Sequence, residues 1–342
     1  MIRELDTVTL RDGAPMTIRL IEPPAGEYAE RLTRFLEHKG DGTARDIAQR
    51  LRGDYVADCL DRFFVGEIED RIAAQMWYTL PRERPDFGVF GHVYTEPEQR
   101  GRGAASTLMG PLMADFLAGP GQALFCGVGD PGAQRIYARH GFVPLLPERA
   151  PVGPQAFIRP EVAADFAALQ ALVFAPDVPT RTRPAHMGDR ARVDKLLHQA
   201  DAVRARAAVW HRVHLAACYP DFVPAFQATE DGRGVLQVLQ TEREHVVGYA
   251  FALAAGSPIE RSAAALDFLT HPAYDERAPE LIRATVDAAR SAGMTSVRCW
   301  LAGCDAAKLA AVAAAGGARE HTFAGYCTVG GSAVDLLVYR PA

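Results

Sequence analysis

The residues best suited to chemistry in this sequence stand in a glycine-rich turn ahead of a helical segment. The turn and its flanks are Val93, Tyr94, Thr95, Glu96, Pro97, Glu98, Gln99, Arg100, Gly101, Arg102, Gly103, Ala104, Ala105 and Ser106. A strand pattern ends at Thr95, and Pro97 does not continue it because proline lacks a backbone N–H donor. Glycines before a helix let successive N–H groups point to one place, where the helix dipole favours an anion. The turn therefore predicts a phosphate site, to which Arg100 and Arg102 add cationic donors.

A plain tight turn explains such glycines equally well, so a second stretch is needed to decide between the two interpretations. That stretch is Asp130, Pro131, Gly132, Ala133, Gln134, Arg135, Ile136, Tyr137, Ala138, Arg139, His140, Gly141 and Phe142. Its order and spacing relative to the first stretch are specific, and together the two span residues 63–143 with the strands before them.

The two stretches together resemble the GNAT acyltransferase superfamily. The loop of that family, Arg/Gln-x-x-Gly-x-Gly/Ala, is matched by Arg100, Gly103 and Ala105. Its later signature, Asn-x-x-Ala-x-x-x-Tyr-x-x-x-Gly-Phe, is matched by Ala133, Tyr137, Gly141 and Phe142. Asp130 stands where the family usually has asparagine, which is the one departure from the signature.

The resemblance implies that an acyl-coenzyme A binds in a cleft between two diverging parallel strands. Acetyl-coenzyme A is the acyl-coenzyme A that we expect. Its pantetheine arm would bond to the backbone of Val93, Tyr94 and Thr95 as an added strand does. The remaining residues expected at the cofactor are Arg100, Gly101, Arg102, Gly103, Ala104, Ala105, Ser106 and Asp130. An amine would attack the thioester directly, without a covalent enzyme intermediate, and no metal is expected.

Direct transfer requires a neutral amine and a proton for the departing thiolate. Tyr137 holds the family position of the proton donor, and aromatic packing on the inner face of a helix is the alternative. His92 is the candidate base because imidazole accepts protons near neutral pH, provided that strand alternation does not turn it away from the cleft. Glu67, or a chain of water molecules without a single base, is a further alternative.

Two other groups of residues favour structural roles. Cys126 lies on a strand near the expected thioester, but no neighbouring base or cation in the sequence would activate it as a nucleophile. His211, His214 and Cys218 are spaced three and four apart on a predicted helix and could bind zinc. No fourth ligand stands near them, so packing in an amphipathic helix is favoured.

Length and element order predict two domains with the same fold. The chain has 342 residues, and strands alternate with helices, which is typical of α/β domains. We expect a GNAT domain over residues 1–160, a linker with a bridging helix over 161–179, and a degenerate GNAT-like domain over 180–342. Each domain would hold a mixed, mostly antiparallel sheet flanked by helices.

The second copy lacks the features that would hold a cofactor. Pro272 matches Pro97, but the glycines are missing, and Asp275 and Glu276 bring negative charge to the corresponding turn. Ala313 stands where the first copy has Tyr137. We therefore expect one cofactor site in the chain.

Composition excludes several classes of protein. The net charge of −5 argues against a nucleic-acid partner, and no apolar run reaches the length of about 18 residues that crosses a membrane. The first residues mix charges as no secretory signal does, and the six cysteines form no CxxC pair, so we expect a cytoplasmic protein with reduced thiols. The sequence does not predict the oligomeric state.

The function expected from all this is transfer of an acyl group from acyl-coenzyme A to a small-molecule amine. The alternatives are an acyl-coenzyme A decarboxylase or thioester hydrolase on the same fold, and a coenzyme A-binding module without catalysis.

Overall fold

The computed structural model of the protein describes residues 1–145, 154–163, 166–176, 178–197, 205–206, 214–215, 222–254, 262–329 and 331–342. These residues form two compact units. The first is Met1–Phe166 together with Arg190–Arg192, and the second is Ala167–Asp189 with Val193–Ala342.

The first unit is built on an eight-stranded sheet. Its strands are β1 (Ile2–Thr9), β2 (Pro15–Ile21), β3 (Cys59–Ile68), β4 (Arg71–Pro81), β5 (Phe87–Thr95), β6 (Ala123–Gly127), β7 (Phe142–Pro144) and β8 (Pro154–Ile158). Their order is β1-β2-β3-β4-β5-β6-β8-β7, and every neighbouring pair is antiparallel except β5 with β6.

Helices cover both faces of this sheet. They are α1 (Gly26–Phe35), α2 (Asp41–Arg52), α3 (Ala104–Ala118), α4 (Pro131–Arg139) and α5 (Pro160–Ala163). One core contains Leu108 of α3 and Tyr137 of α4, and the other contains Leu32 of α1 and Ile47 of α2. Because both faces are covered, the strands carry apolar residues on each side, and in β4 Met76 joins the first core while Trp77 joins the second.

The parallel strands β5 and β6 pair over only three residues. The pairs are Phe87 with Ala123, Gly88 with Leu124, and Val89 with Phe125. The paired part is tight at Gly88, where an added Cβ would lie 2.6 Å from the Thr79 carbonyl oxygen. Beyond Val89, β5 continues to Thr95 without pairing to β6, and the sheet opens between them.

A bulge in β5 lies opposite β4 in this open part. Trp77 pairs with Gly91 and Gln75 pairs with Tyr94, so β5 has one residue more than β4 between these two pairs. The extra residue falls at His92–Val93, and His92 has a φ of +52°, in the left-handed region that few non-glycine residues adopt. Such a bulge changes which face of the sheet the next side chain reaches.

The second unit is built on a seven-stranded sheet. Its strands are β9 (Thr180–Pro184), β12 (Gly234–Thr241), β13 (Val246–Ala254), β14 (Ala263–Thr270), β15 (Ser296–Ala302), β16 (Ala318–Val329) and β17 (Ser332–Arg340), and the short strands β10 (Ala205–Arg206) and β11 (His214–Leu215) pair apart from it. The helices are α6 (Phe166–Val173), α7 (Asp189–Leu197), α8 (Phe222–Glu230), α9 (Ala278–Ser291) and α10 (Ala306–Ala314), except that Phe166 of α6 and Arg190–Arg192 of α7 belong to the first unit.

The two main sheets share one topology. The second has the order β9-β12-β13-β14-β15-β17-β16, which repeats β2-β3-β4-β5-β6-β8-β7, and its one parallel pair, β14 with β15, corresponds to β5 with β6. The predicted fold class, two mixed and mostly antiparallel sheets flanked by helices, is confirmed.

The predicted helix around His214 is wrong, since His214 lies in β11, whereas His211 and Cys218 lie outside the described residues.

The second sheet also opens beside its parallel pair, but a buried ion pair fills the opening. β14 and β15 pair up to Leu266 with Cys299, and the next residue of β14 is Asp267. The Nζ atom of Lys308, on α10, lies 2.5 Å from Oδ1 of Asp267, and both side chains are almost fully buried. The ammonium also lies over the ring of Phe268, 5.2 Å from its centroid.

The N-terminal caps of α4 and α10 show which residue of the first unit corresponds to Lys308. Asp130 caps α4 by accepting from the Ala133 N–H, and Asp305 caps α10 by accepting from the Lys308 N–H. Lys308 thus occupies the position of Ala133, and by the same alignment Val312, rather than the expected Ala313, occupies the position of Tyr137. The second unit replaces a small residue beside its opening with a long cation.

Removing either partner of this ion pair should destabilise the second unit. Lys308→Ala or Asp267→Ala leaves a buried charge without its counter-ion, which costs about 3 kcal/mol or more of unfolding free energy. The double variant Lys308→Ala/Asp267→Ala leaves no such charge, so it should lose clearly less than the sum of the two single variants. Urea unfolding of all four proteins measures the coupling, and strictly additive losses would contradict the interaction.

Candidate active site

The glycine turn of the first unit is shaped to hold an anion. A single turn of 3-10 helix at Pro97–Gln99 ends the extended chain, and α3 begins at Ala104. Gly101 and Gly103 between them have φ values of +77° and +97°, which glycine adopts without strain. The two glycines therefore let the chain double back directly into the first turn of α3.

The backbone donors of this turn are unused. Within the described part of the chain, none of the backbone N–H groups of residues 101–106 donates a hydrogen bond. Six donors in succession at the N-terminus of a 15-residue helix form a site for a phosphate or pyrophosphate group. A helix start alone leaves its first amides unused, and here the turn before it extends the row.

Three arginines surround the turn, and two of them were predicted from the sequence. Arg100 Nε donates to the Thr95 carbonyl at 3.1 Å, and Arg102 Nε lies 2.5 Å from Oδ2 of Asp12. The third is Arg11, in the β1–β2 hairpin, whose Nη1 donates to the Gly101 carbonyl at 3.3 Å. Because Arg102 is paired with a carboxylate, Arg11 and Arg100 supply the positive charge that the turn offers to an anion.

The hydrogen bond from Arg102 holds the pKa of Asp12 below its ordinary value, so this carboxylate remains charged beside the turn.

The open edge of β5 carries polar groups on the side from which β6 has departed. Glu96 N–H donates to the Ala73 carbonyl, so by strand alternation the backbone groups of Thr95 and Val93 face away from β4. Side chains hold both carbonyls there, since Thr95 accepts from Arg100 and Val93 accepts from Lys39 Nζ at 3.2 Å. This edge is available to an extended ligand that pairs as a strand does.

Tyr137 lies on the α3–α4 face beside this edge. Its ring packs edge-on against Phe90 of β5 with centroids 5.0 Å apart, and the residue is 5% exposed. Among the described residues its hydroxyl has no hydrogen-bond partner. Burial raises the pKa of Tyr137 well above its ordinary value, so the hydroxyl keeps its proton at neutral pH.

His92 lies on the opposite face, against α2. The bulge turns it to the side of Trp77, with ring centroids 4.9 Å apart, and its Nε2 is 3.8 Å from Oδ2 of Asp46. Burial lowers the pKa of His92 to about 4, and the charges of Arg190 and Lys39 lower it further while Asp46 opposes them. The imidazole is therefore neutral at pH 7. Its Nε2 is buried and has no hydrogen-bond partner among the described residues.

A buried ionic network surrounds His92 and Trp77. Asp46 binds Arg50 Nε at 2.9 Å and Arg190 Nη1 at 2.8 Å, and both guanidinium groups lie over the Trp77 ring. Asp61 accepts from Arg50 and from the Trp77 indole N–H, each at 2.8 Å. Two carboxylates and two guanidinium groups balance, so the network carries no net formal charge. Burial disfavours the charged form of Asp46, yet the two arginines hold its pKa below the ordinary value.

Comparison with known proteins identifies the part of the chain that holds these features. Residues 28–142 match the model of the Acetyltransferase (GNAT) family. These residues form a GNAT acetyltransferase domain. The range includes the glycine turn, Tyr137, His92 and Asp46, and the predicted membership in the family is confirmed for this domain.

Solved structures of GNAT enzymes also match, at low similarity. They include an acetyltransferase of the family from Streptococcus pneumoniae (11% identity, 47% of this chain, 98% of that chain, TM-score 0.40). A phosphinothricin acetyltransferase from Sinorhizobium meliloti in complex with acetyl-coenzyme A matches at 17% identity (47% and 88%, TM-score 0.39), and a ribosomal-protein-alanine N-acetyltransferase from Brucella melitensis at 17% (46% and 97%, TM-score 0.37). No curated protein sequence matches the chain.

Several predicted residues of the GNAT domain have structural partners. Asp130 accepts from the Ala133 N–H at 2.7 Å and so caps α4. Glu67 accepts hydrogen bonds from Arg19, Arg31 and the Tyr28 hydroxyl. The Tyr94 ring packs on His38 and Phe35, with the His38 centroid at 3.9 Å, and Cys126 is buried and forms no disulfide bond. The GNAT domain thus keeps Tyr137 and His92 beside the opening, on opposite faces of β5.

The network around Trp77 was not predicted from the sequence, although one local signal was present. Asp46 and Arg50 lie four residues apart on α2, among the apolar positions Ile47 and Leu51 that face the sheet. Charged residues on an apolar face are typical of buried pairs. Arg190 carried no signal at all because it is far away in the sequence.

Two further features concern metal ligands and membrane-spanning helices. In the part of the chain that is described, no group of three or more His, Cys, Asp or Glu side chains is placed to hold a metal ion. None of the described helices has the length and apolar character needed to cross a membrane.

The burial of His92 predicts a pH-dependent stability. In the unfolded chain histidine binds a proton near pH 6.5, whereas folded His92 does so only near pH 4. Between these values the unfolded state holds more protons, so the free energy of unfolding falls as the pH is lowered, by up to about 3 kcal/mol. His92→Gln should lack this contribution.

Urea unfolding of wild type and His92→Gln from pH 8 to pH 4 measures the difference. The two stability curves should run parallel above pH 7, where His92 is neutral in both states, and converge below pH 6.5. Curves that stay parallel to pH 4 would show that His92 titrates like an exposed histidine.

Proposed function

We propose that this protein is an acyl-coenzyme A-dependent N-acyltransferase, with acetyl-coenzyme A as donor and a small-molecule amine as acceptor. The observation that carries the proposal is the row of N–H groups at residues 101–106, which donate to no described residue, next to the edge of β5 that does not pair with β6 in a GNAT domain. A pyrophosphate and an extended pantetheine arm are the two ligand groups that these features fit. We also propose that residues 1–160 form the GNAT domain, residues 161–179 a linker and residues 180–342 a second copy without a cofactor. We further propose that the protein is cytoplasmic.

Binding would use the backbone more than side chains. Amides of Gly101 to Ser106 would hold the pyrophosphate, with Arg11 and Arg100 neutralising its charge. The arm would then follow β5 toward Val93 and bond to backbone groups that face away from β4. Arg100 and Lys39 now hold the carbonyls of Thr95 and Val93, so these side chains would move aside or share them.

The positions of Tyr137 and His92 fit the two proton transfers of the reaction. Tyr137 lies on the α3–α4 face with a protonated hydroxyl, where it would donate to the departing thiolate. His92 lies on the α1–α2 face, neutral and with an unpartnered Nε2, where it would accept the amine proton directly or through water. The amine would thus approach from one face of the sheet while the thiolate leaves toward the other.

The low pKa of His92 bears on its strength as a base. A histidine that is protonated only near pH 4 is a weaker proton acceptor than a free imidazole, so relay through water to solvent suits it better than holding the proton. We therefore propose that His92 orients the water or amine and that the proton passes on.

The experiment that tests the proposed function separates amine-dependent from amine-independent reactions. The full chain is incubated with acetyl- or malonyl-coenzyme A, with and without a panel of small amines, and free thiol release is followed. Amine-dependent thiol release with an N-acetylated product is expected. Loss of the acyl group without any amine would indicate a decarboxylase or hydrolase, and tight binding without turnover would indicate a module that only binds coenzyme A.

Replacing Tyr137 should separate binding from turnover. Tyr137→Phe removes only the hydroxyl, so the ring still packs on Phe90, and the affinity for coenzyme A should stay unchanged. Turnover should fall by about 10- to 1000-fold because the thiolate loses its proton donor. Tyr78→Phe is the matched control, since Tyr78 lies in the same core and its hydroxyl is already engaged in donating to Asp115. Unchanged turnover of Tyr137→Phe at saturating substrate would remove Tyr137 from the mechanism.

A further inference from the structure

Lys39 is a lysine that reaches the open edge of β5. It ends the short 3-10 turn Glu37–Lys39 between α1 and α2, and its Nζ donates to the Val93 carbonyl at 3.2 Å. That carbonyl is on the edge that has lost its pairing to β6. The ammonium therefore lies where an extended ligand on β5 would pass.

The Lys39 ammonium is not neutralised by a carboxylate. Among the described residues, no Asp or Glu side chain lies within ion-pair distance of its Nζ, and its one hydrogen bond is to a backbone carbonyl. Part of the side chain is exposed, but desolvation of the ammonium lowers the pKa of Lys39. A larger fraction of this amine is therefore neutral, and thus nucleophilic, than of an ordinary surface lysine.

The other two lysines of the chain belong to the second unit. The sequence has three lysines, at positions 39, 195 and 308, and Lys39 alone belongs to the first unit. Lys308 is buried in its ion pair with Asp267. A reaction at Lys39 is thus easily distinguished from a reaction at either of the others.

We propose that Lys39 is an internal acyl acceptor, which takes the acyl group from the thioester bound along β5 when no external amine is present. The inference rests on the proposed function and adds a modification site to it. The neutral Nζ attacks the thioester carbonyl, the C–N bond forms and the C–S bond breaks. The nitrogen loses one proton, the thiolate gains one, and the products are N-acyl-lysine and free coenzyme A.

Acylation changes what Lys39 does at the strand. The amide that forms is uncharged and has a single N–H donor, so the positive charge beside Val93 disappears. The acyl group then occupies the same edge of β5, where it would hinder the next cosubstrate. Self-acylation would therefore slow the protein when acceptor is scarce.

The test uses the full chain with acetyl-coenzyme A in the absence of any amine. Peptide mass spectrometry should show one acetyl group on Lys39, appearing about tenfold or more faster than on Lys195 because the reaction is intramolecular. The rate constant should not depend on protein concentration, and excess coenzyme A, which fills the same site without an acyl group, should suppress it. Lys39→Arg should remove the added mass from the intact protein.

Two results would overturn the inference. One is acetylation of Lys39 at the rate of Lys195, and the other is acetylation that excess coenzyme A does not reduce, since both indicate reaction from bulk solution. A calorimetric titration with coenzyme A separates this failure from failure of the proposed function. Binding without Lys39 acetylation overturns the role of Lys39 alone, whereas absence of binding overturns the cosubstrate assignment as well.

Discussion

The separation of β5 from β6 after Val89 is the constraint on which the rest of the first unit depends. A parallel pair in the middle of a sheet normally satisfies its backbone groups along its whole length, and unpaired ones are costly when buried. Here side chains take over that task, since Arg100 and Lys39 donate to the carbonyls of Thr95 and Val93. The opening is thus an edge inside a sheet, and its carbonyl groups are held by side chains that a bound ligand would have to displace.

The second unit has the same opening and closes it from within. Lys308 reaches from α10 to Asp267, the first residue of β14 beyond the parallel pairing. In β13 and β14 the strands pair residue by residue from Gly248 with Thr270 onward, without the bulge that places His92 in the first unit. Chain length alone offered two domains. The structure shows the same topology in both units. The opening beside the parallel pair stays open in the first unit and is filled by the ion pair in the second.

The bulge in β5 also explains why the site has two faces. Without it, His92 would follow Phe90 to the α3–α4 side, where Tyr137 lies. With it, His92 reaches Trp77 and the network of Asp46, Arg50, Asp61 and Arg190. Buried ion pairs of this kind contribute little net stability compared with apolar packing. Their effect here is to keep a neutral imidazole in a fixed place beside the open strand.

Local sequence predicted the parts of the site that depend on local structure. The glycine turn, the start of α3 and the place of Tyr137 follow from spacing, because turn and helix signals act over a few residues. The order of strands and helices was also predictable, and with it the fold class. The missing glycines of the second copy were visible in the same way.

What could not be predicted depends on register and on distant contacts. A one-residue bulge reverses the face of His92, and no local pattern marks it. Arg11 reaches the turn only because the β1–β2 hairpin packs there, and Arg190 reaches Asp46 across a separation of 144 residues. Lys308 is an ordinary helical residue in sequence, and only the pairing of β14 with β15 shows that it fills a gap.

The central claim is that two copies of one fold provide a single cofactor site. Calorimetric titration of the full chain with coenzyme A tests it most directly, because the stoichiometry counts the sites. We predict one molecule of coenzyme A per chain, and Gly103→Glu should abolish this binding by placing a carboxylate among the unused amides at residues 101–106. Two molecules bound per chain, or one that persists in Gly103→Glu, would contradict the account.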